Sequence, residues 1–385
     1  MSLDIAAVVN LHSEGLAARP SLISAWRAVE NSIRAGNTSE LVLMLDQPDD
    51  PTRELASEWT KRGARVVESN EGDLGAARNA AVQETNATSI AFLDADDLWG
   101  PSWLTDAAHA AGESVGDGPH VFHPEVNIIF GDHHSLLFHQ PSNSASFSRA
   151  RLRLHNMWTA LAFARRDVFL EFPYPRNQLD SGFGYEDWSW NLAILDAGGR
   201  HHVIADTCHF IRRSDDHSLL GQSHGALRTP YPRDGRPTTA TPPDEISALS
   251  PVDPDLPATH AMAPHDLSPE ILEQIRLVAT IEPEVEKTLS HSGHPRVIAQ
   301  NRNDHVTATQ RALESIGQLA HSEPELSPRE LVDRCPEFAA LSRTERDRAV
   351  AELLLAYTAE HGSLPSDTSG CIGDALMAYP QLRPR

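Results

Sequence analysis

Three carboxylates stand together at Asp94, Asp96 and Asp97, in the run S-I-A-F-L-D-A-D-D-L-W from Ser89 to Trp99. The apolar stretch Ile90 to Leu93 ahead of them reads as a buried strand, so the acids arrive at its C-terminal end. That edge of an open α/β sheet is where ligands bind. Carboxylates so crowded repel one another unless a cation neutralises them, and hard oxygen donors suit Mg2+ or Mn2+. An ion held by few protein groups keeps positions open for phosphate oxygens. Taken alone, such a triplet is more often a solvated acidic turn; its neighbours decide. A second acidic pair, Glu186 and Asp187, opens a segment with helical apolar spacing at Trp188, Leu192 and Leu195. By itself such a pair compensates a helix dipole. Within reach of a hydroxyl, one of its carboxylates is a candidate general base.

The elements that must position these acids alternate in type. Strands are predicted at Ile5 to Val9, Leu41 to Leu45, Arg65 to Val67 and Ile90 to Leu93. Helices are predicted between them at Leu22 to Ile33, Pro51 to Arg62 and Leu74 to Glu84. Short loops join them, which predicts a parallel, nucleotide-binding α/β sheet. Further on, Val126 to Phe130 and Ser135 to Phe138 read as antiparallel strands. An Ala- and Arg-rich helix is expected around Thr159 to Leu170, a helix over Tyr185 to Ala197 closed by Gly198-Gly199, and a last strand at His202 to Ala205.

At 385 residues the chain suggests two domains, and its 40% apolar content can build a sizeable core. The formal net charge of -22 argues against nucleic acid or an anionic membrane surface as partner. A nucleotide is not excluded, because a metal and a few arginines handle phosphate charge locally. Cys208, Cys335 and Cys371 have neither disulfide nor zinc spacing, which fits a reducing cytosol. No signal peptide or membrane-spanning run is apparent, so a cytoplasmic protein is expected. Scarce lysine with abundant Ala and Pro suits a high-GC, bacterial source.

Composition changes after Gly225. Residues 226–267 are rich in Pro, Thr, Asp and Ala without a period and are expected to be a linker. Helix-start signals at Ser268-Pro269-Glu270, Ser327-Pro328-Arg329-Glu330 and Ser342-Arg343-Thr344-Glu345 predict a helical module over 268–361, followed by a loose tail, 362–385. The apolar stripes of those helices must bury against something, the preceding domain or a second copy of the module; self-association into a homo-oligomer is the expected use.

Five pieces in order resemble family 2 of the inverting nucleotide-sugar glycosyltransferases, which have the GT-A fold. They are V-V-N-L-H-S-E-G (Val8 to Gly15), L-D-Q-P-D-D-P-T (Leu45 to Thr52), N-E-G-D-L-G-A-A-R-N-A-A-V (Asn70 to Val82), L-D-A-D-D-L-W (Leu93 to Trp99) and G-F-G-Y-E-D-W-S-W-N-L (Gly182 to Leu192). The third is the most specific, and the resemblance covers about residues 5–220. It implies a catalytic domain over 1–225, a Rossmann-like nucleotide-binding sheet. Nucleotide contacts would come from Asn10, His12, Glu14, Asp46, Gly72, Arg78, Asp94 and Ala95. A Mn2+ or Mg2+ ion would be held by Asp96 with Asp94 and His217. Asp187 would be the base that deprotonates the acceptor, with Glu186 beside it. The usual Asp-Asp-Gly-Ser run is replaced after Leu45, so only Asp46 carries over there.

The implied reaction moves a sugar from a nucleoside diphosphate donor, a UDP- or GDP-sugar, to a hydroxyl of a cell-surface glycan or secondary metabolite. Trp99, Trp158, Trp188 and Trp190 are candidates for sugar stacking or for the core. The histidines between His120 and His139 lack zinc spacing and are expected in loops or the acceptor cleft. Two rivals remain at the level of sequence. A haloacid-dehalogenase-like phosphatase would want its acidic motif near the start of the domain. A catalytically inactive nucleotide-binding scaffold would show no donor hydrolysis.

Overall fold

A computed structural model describes residues 3–114, 118–144 apart from 133, 147, 152, 156–177, 186–213, 267–290, 296–299 and 308–378 apart from 324, 342 and 362. The expected linker therefore lies almost wholly outside the described residues, as do His217 and the tail beyond 378.

Four parallel strands form the first half of the sheet: β1 (Ile5–Leu11), β2 (Ser39–Asp46), β3 (Arg65–Ser69) and β4 (Ser89–Asp94), with β1 between β4 and β2. Helices α1 (Arg19–Arg34), α2 (Asp50–Thr60) and α3 (Leu74–Glu84) make the crossovers. Every residue of β1 is buried. Ala7 and Val9 join the core on one face, and Ala6 and Val8 the core on the other. Burial on both faces explains why these strands read as continuous apolar runs.

The second half is mixed. A two-residue strand β5 (Leu98–Trp99) and helix α4 (Trp103–Glu113) follow the acidic turn. The long β6 (His120–Gly131) pairs antiparallel with β7 (Ser135–Phe138), as the sequence suggests. The helix expected around Thr159 to Leu170 is shorter than predicted. Phe163–Arg165 enters the sheet as β8, antiparallel between β4 and β6, and only Arg166–Glu171 is helical (α5). Phe163 is fully buried against Trp103 and Phe122, so packing decides the conformation where periodicity over three residues cannot. Helix α6 (Glu186–Asp196) leads to β9 (Arg200–Arg213), which runs parallel to β6 and also pairs with β5.

Helices α7 (Pro269–Ala279) and α8 (Glu284–Ser290) depart from the domain boundary expected at 268. Ile271, Ile275, Val278 and Val285 share a core with Val126, Ile128, Phe130 and Phe210 of β6 and β9. These helices belong to the same compact unit as the sheet, with β10 (Arg296–Ala299) added parallel to β7 at its edge. Apolar spacing shows that a helix has a buried face but not which surface covers it.

A second compact unit holds α9 (Ala308–Ser322), α10 (Pro328–Arg334), α11 (Pro336–Ala339), α12 (Arg343–His361) and α13 (Cys371–Ala378). The capping box at Ser327 and Glu330 forms as the sequence predicts. Ile316, Leu331, Phe338, Val350, Leu354 and Ile372 close on one another in a core of their own. The stripes thus bury within the unit, which removes the physical reason for requiring a second copy. No helix of the described residues is long and apolar enough to cross a membrane.

Candidate active site

The acidic turn sits where β4 ends, beside the end of β1. Asp94 Oδ1 accepts from Asn10 Nδ2 at 3.5 Å and from Arg78 Nη2 at 2.7 Å. The Ala95 carbonyl accepts from the Ser21 hydroxyl at 2.6 Å, pinning the turn to α1. Asp97 N–H donates to the Asp94 carbonyl at 3.1 Å, and the buried Asp97 carboxylate accepts from the Arg212 N–H at 2.8 Å. Asp96 is the exposed member of the three, yet protein surrounds it closely, as on a cleft floor. That crowding, and then the Asp94 charge, raises its pKa to about 6. Burial, followed by the charges of Asp96 and Asp94, holds the Asp97 carboxyl well above the usual carboxylate range. The turn therefore favours whatever reduces its negative charge, a proton or a cation.

Among the described residues no group of three His, Cys, Asp or Glu side chains converges as a metal cage. That is compatible with Mg2+ or Mn2+ held by one or two carboxylates and completed by substrate phosphates. Asp96 fits such a ligand, with Asp94 next to it but shared with Arg78. His217 lies outside the described residues, so its place in the site is open.

Around the turn, the residues matched to the nucleotide divide into two groups. Asn10 is buried, and its Oδ1 has no partner among the described residues. His12 is exposed at the end of β1, where its N–H donates to Glu14 Oε2 at 2.7 Å. His12 and the half-buried Glu14 stand where a ligand can reach them, while Asn10 leaves a buried acceptor unsatisfied beside them. Asp46 is engaged inside the protein, accepting from the Ser69 hydroxyl at 2.7 Å and from the N–H groups of Glu71 at 2.7 Å and Gly72 at 2.9 Å. Gly72 adopts φ 62°, and a Cβ there would lie 3.0 Å from the Gln47 amide nitrogen, so glycine suits this tight turn. Arg78, expected to face the nucleotide, is instead fully buried, one Nη on Asp94 and the other on Glu186 Oε1 at 2.7 Å. A guanidinium can bind two carboxylates at once, and here they come from 16 and 108 residues away along the chain.

That fork brings the pair Glu186–Asp187 to the acidic turn. Glu186 is buried and Asp187 half-buried at the start of α6, where Asp187 Oδ1 accepts the Trp188 N–H at 2.8 Å. Burial, then the adjacent Glu186 charge, pushes the Asp187 carboxyl above the ordinary range, while Arg78 acts in the opposite direction. A base near neutrality is what proton abstraction from a hydroxyl asks for.

Two residues outside the expected site set fix the backbone at Tyr174 and Asn177. Asp73 caps α3 through the Ala76 N–H and also accepts from Asn177 N–H, both at 2.8 Å. Asn79 donates to the Tyr174 carbonyl at 2.8 Å and accepts its N–H at 2.9 Å. Both lie inside the specific third motif, and that was the available signal. Trp99, Trp158, Trp188 and Trp190 are all buried, so each serves the core. His123 is buried on β6 and not in a loop, whereas His139 is buried just past the end of β7, its N–H on the Glu125 carbonyl at 2.9 Å. His123 Nε2 lies 2.8 Å from His201 Nδ1, and His201 stacks on Trp158. Burial drives His139 down to about 4 and His201 to about 3, so both are neutral packing groups at neutral pH.

Residues 18–171 match the family model described as glycosyl transferase family 2, a span that ends before Glu186. No curated protein matches the chain. Among solved structures it is similar to S. aureus TarS 1–349, at 14% identity and a TM-score of 0.40, covering 94% of this chain and 92% of that one. The same TarS segment in complex with UDP-GlcNAc gives 14% identity and a TM-score of 0.40, covering 96% and 95%. GalNAc-T7 with UDP, GalNAc and Mn2+ gives 16% identity and 0.40, covering 56% and 44%. The family match, on a parallel sheet with its acidic turn at the end of β4, makes residues 18–171 a family 2 glycosyltransferase domain of the GT-A fold and the protein a glycosyltransferase.

Proposed function

We propose that the protein is a metal-dependent, inverting glycosyltransferase that moves a sugar from a nucleoside diphosphate donor to a hydroxyl. One observation carries this reading. The Arg78 guanidinium holds the donor-side Asp94 and the acceptor-side Glu186 at 2.7 Å each, which sets Asp187 close to the acidic turn. An acid-rich donor edge and a carboxylate with a raised pKa then share one site.

In this reading Asp96, with Asp94 beside it, holds Mn2+ or Mg2+. Bound there, such an ion would supply Lewis-acid stabilisation for a departing diphosphate. Asn10 offers its unpartnered Oδ1 to a hydroxyl of the donor. His12 and Glu14 lie at the mouth of β1, where the base of a UDP- or GDP-sugar would sit. Asp187 takes the proton from the acceptor hydroxyl as its oxygen attacks the anomeric carbon, and Glu186, fixed by Arg78, holds the start of α6 in place.

The test is calorimetric and enzymatic. UDP and GDP are titrated into the full chain with Mn2+ and with EDTA, and hydrolysis of UDP- and GDP-sugars is followed in the same two conditions. Nucleotide affinity and slow hydrolysis that both depend on Mn2+, and that Asp96→Ala removes while the fold survives, are the expected results. Equal affinity in EDTA and Mn2+ would remove the metal from the reading. Absence of any sugar-nucleotide turnover, with nucleotide still bound, would leave a binding scaffold instead.

A further inference from the structure

The third sequence motif, Asn70 to Val82, makes its contacts toward the acceptor side of the site. Its members grip one strap of chain at successive points. Asp73 takes the Asn177 N–H, and Asn79 makes two reciprocal bonds with the Tyr174 backbone. Arg176 pairs back to Glu71. Gly75 gives the close approach: a Cβ there would stand 2.6 Å from the Pro175 carbonyl oxygen and 3.2 Å from Glu186 Cγ. Arg78 completes the grip. Its Nη1 reaches Glu186 Oε1 and its Nη2 reaches Asp94 Oδ1, while its guanidinium lies over the Tyr174 ring at 5.4 Å. With no exposed surface, that side chain has nothing to offer a nucleotide directly.

We propose that Arg78 is a positioning residue that ties the donor-side turn at Asp94 to the helix that carries Asp187. One rigid, planar cation thereby sets the spacing between leaving group and base. The proposal deepens the glycosyltransferase reading given above and rests on it for its catalytic consequence; the tie itself is independent of that reading. Lysine cannot replace the fork, because an ammonium is a point charge without two planar donor pairs. A nucleotide-contacting arginine would behave differently: its loss would weaken donor binding first.

Arg78→Lys and Asn79→Ala are compared with the parent chain by two measurements. The first is amide hydrogen exchange at the starts of α3 and α6 and at the turn 94–97. Arg78→Lys should speed exchange at the turn and at the first turn of α6 together, by tenfold or more. Asn79→Ala should loosen the strap near Tyr174 and leave the turn at 94–97 as in the parent. The second is turnover of the sugar nucleotide that the parent hydrolyses, split into kcat and KM. Arg78→Lys should lower kcat by at least tenfold and leave the donor KM within about threefold. A raised donor KM at parental kcat would make Arg78 a nucleotide contact and overturn the proposal. So would faster exchange confined to only one of the two places. If the parent hydrolyses no sugar nucleotide, the catalytic reading fails, and the exchange measurement still decides the tie.

Discussion

His12 Nδ1 lies 2.5 Å from the carbonyl oxygen of Asp46. A carbonyl only accepts, so Nδ1 carries the proton and the neutral ring keeps Nε2 as its acceptor. The imidazole is exposed at the end of β1, where the proposed donor base would sit.

An acceptor there favours a base with a ring N–H, as in uracil or guanine, over cytosine. We expect UDP or GDP to bind the parent more tightly than CDP. His12→Ala should weaken the favoured nucleotide by about fivefold, the affinity equivalent of one hydrogen bond of about 1 kcal/mol, and leave CDP little changed. Equal losses for all three nucleotides in calorimetry would show that His12 does not select the base.

Asp187→Asn keeps size and the contact to Trp188 N–H but removes basicity. Turnover should fall by on the order of 10² or more, in line with general-base contributions, while nucleotide affinity stays near parental. Parental transfer rates would move the role of base elsewhere, Glu186 being next in line.

The Asp97 carboxyl is held above the ordinary carboxylate range by burial and by Asp96 and Asp94, so the fold prefers its neutral form. Its stabilising share is complete below about pH 4, where the unfolded chain is also protonated, and is lost as pH rises through the folded value. Asp97→Asn retains an acceptor for the Arg212 N–H without the charge. With metal chelated, urea unfolding should find this variant more stable than the parent at pH 8, the gap closing toward pH 4. A gap that widens in acid would contradict the burial of an uncompensated charge at this turn.

Truncation separates the two compact units. Ending the chain after residue 300 should leave the sheet unit folded and nucleotide affinity intact. Ending it at 260 also removes Ile271, Ile275, Val278 and Val285, uncovering Val126, Ile128 and Phe130 on the sheet. Each such side chain gains about 1.5–3 kcal/mol from burial, so the shorter chain should precipitate or lose its cooperative thermal transition. A cooperative melt from the 260-residue chain, with parental nucleotide affinity, would show that α7 and α8 are dispensable.

Much of this architecture was legible in the residues, and the reasons for the gaps are physical. Parallel strands buried on both faces, such as β1, leave apolar runs that need no partner to be read. The acids at Asp94, Asp96 and Asp97 follow such a run directly, so their place at the sheet edge was legible too. The side on which Arg78 points was not. Motif spacing gives its residue type and helix, whereas its partners, Asp94 and Glu186, are brought in by tertiary packing from 16 and 108 residues away. The pairing of His123 with His201 has the same origin, since it depends on the β6–β9 register. Short β8 and the docking of α7 failed for want of a local signal.

The two-armed grip of Arg78 also bears on how such an enzyme can change. A start of α6 exchanged for one from a relative must bring an acid with the reach of Glu186. Otherwise one arm of the buried guanidinium loses its carboxylate while the other stays on Asp94, at a cost of about 1.5–3 kcal/mol, a sizeable part of what keeps an ordinary domain folded. Viable changes in this segment should therefore fall at positions other than this one, with the acid kept. Recombination at this boundary would succeed only between parents that share both halves of the clasp.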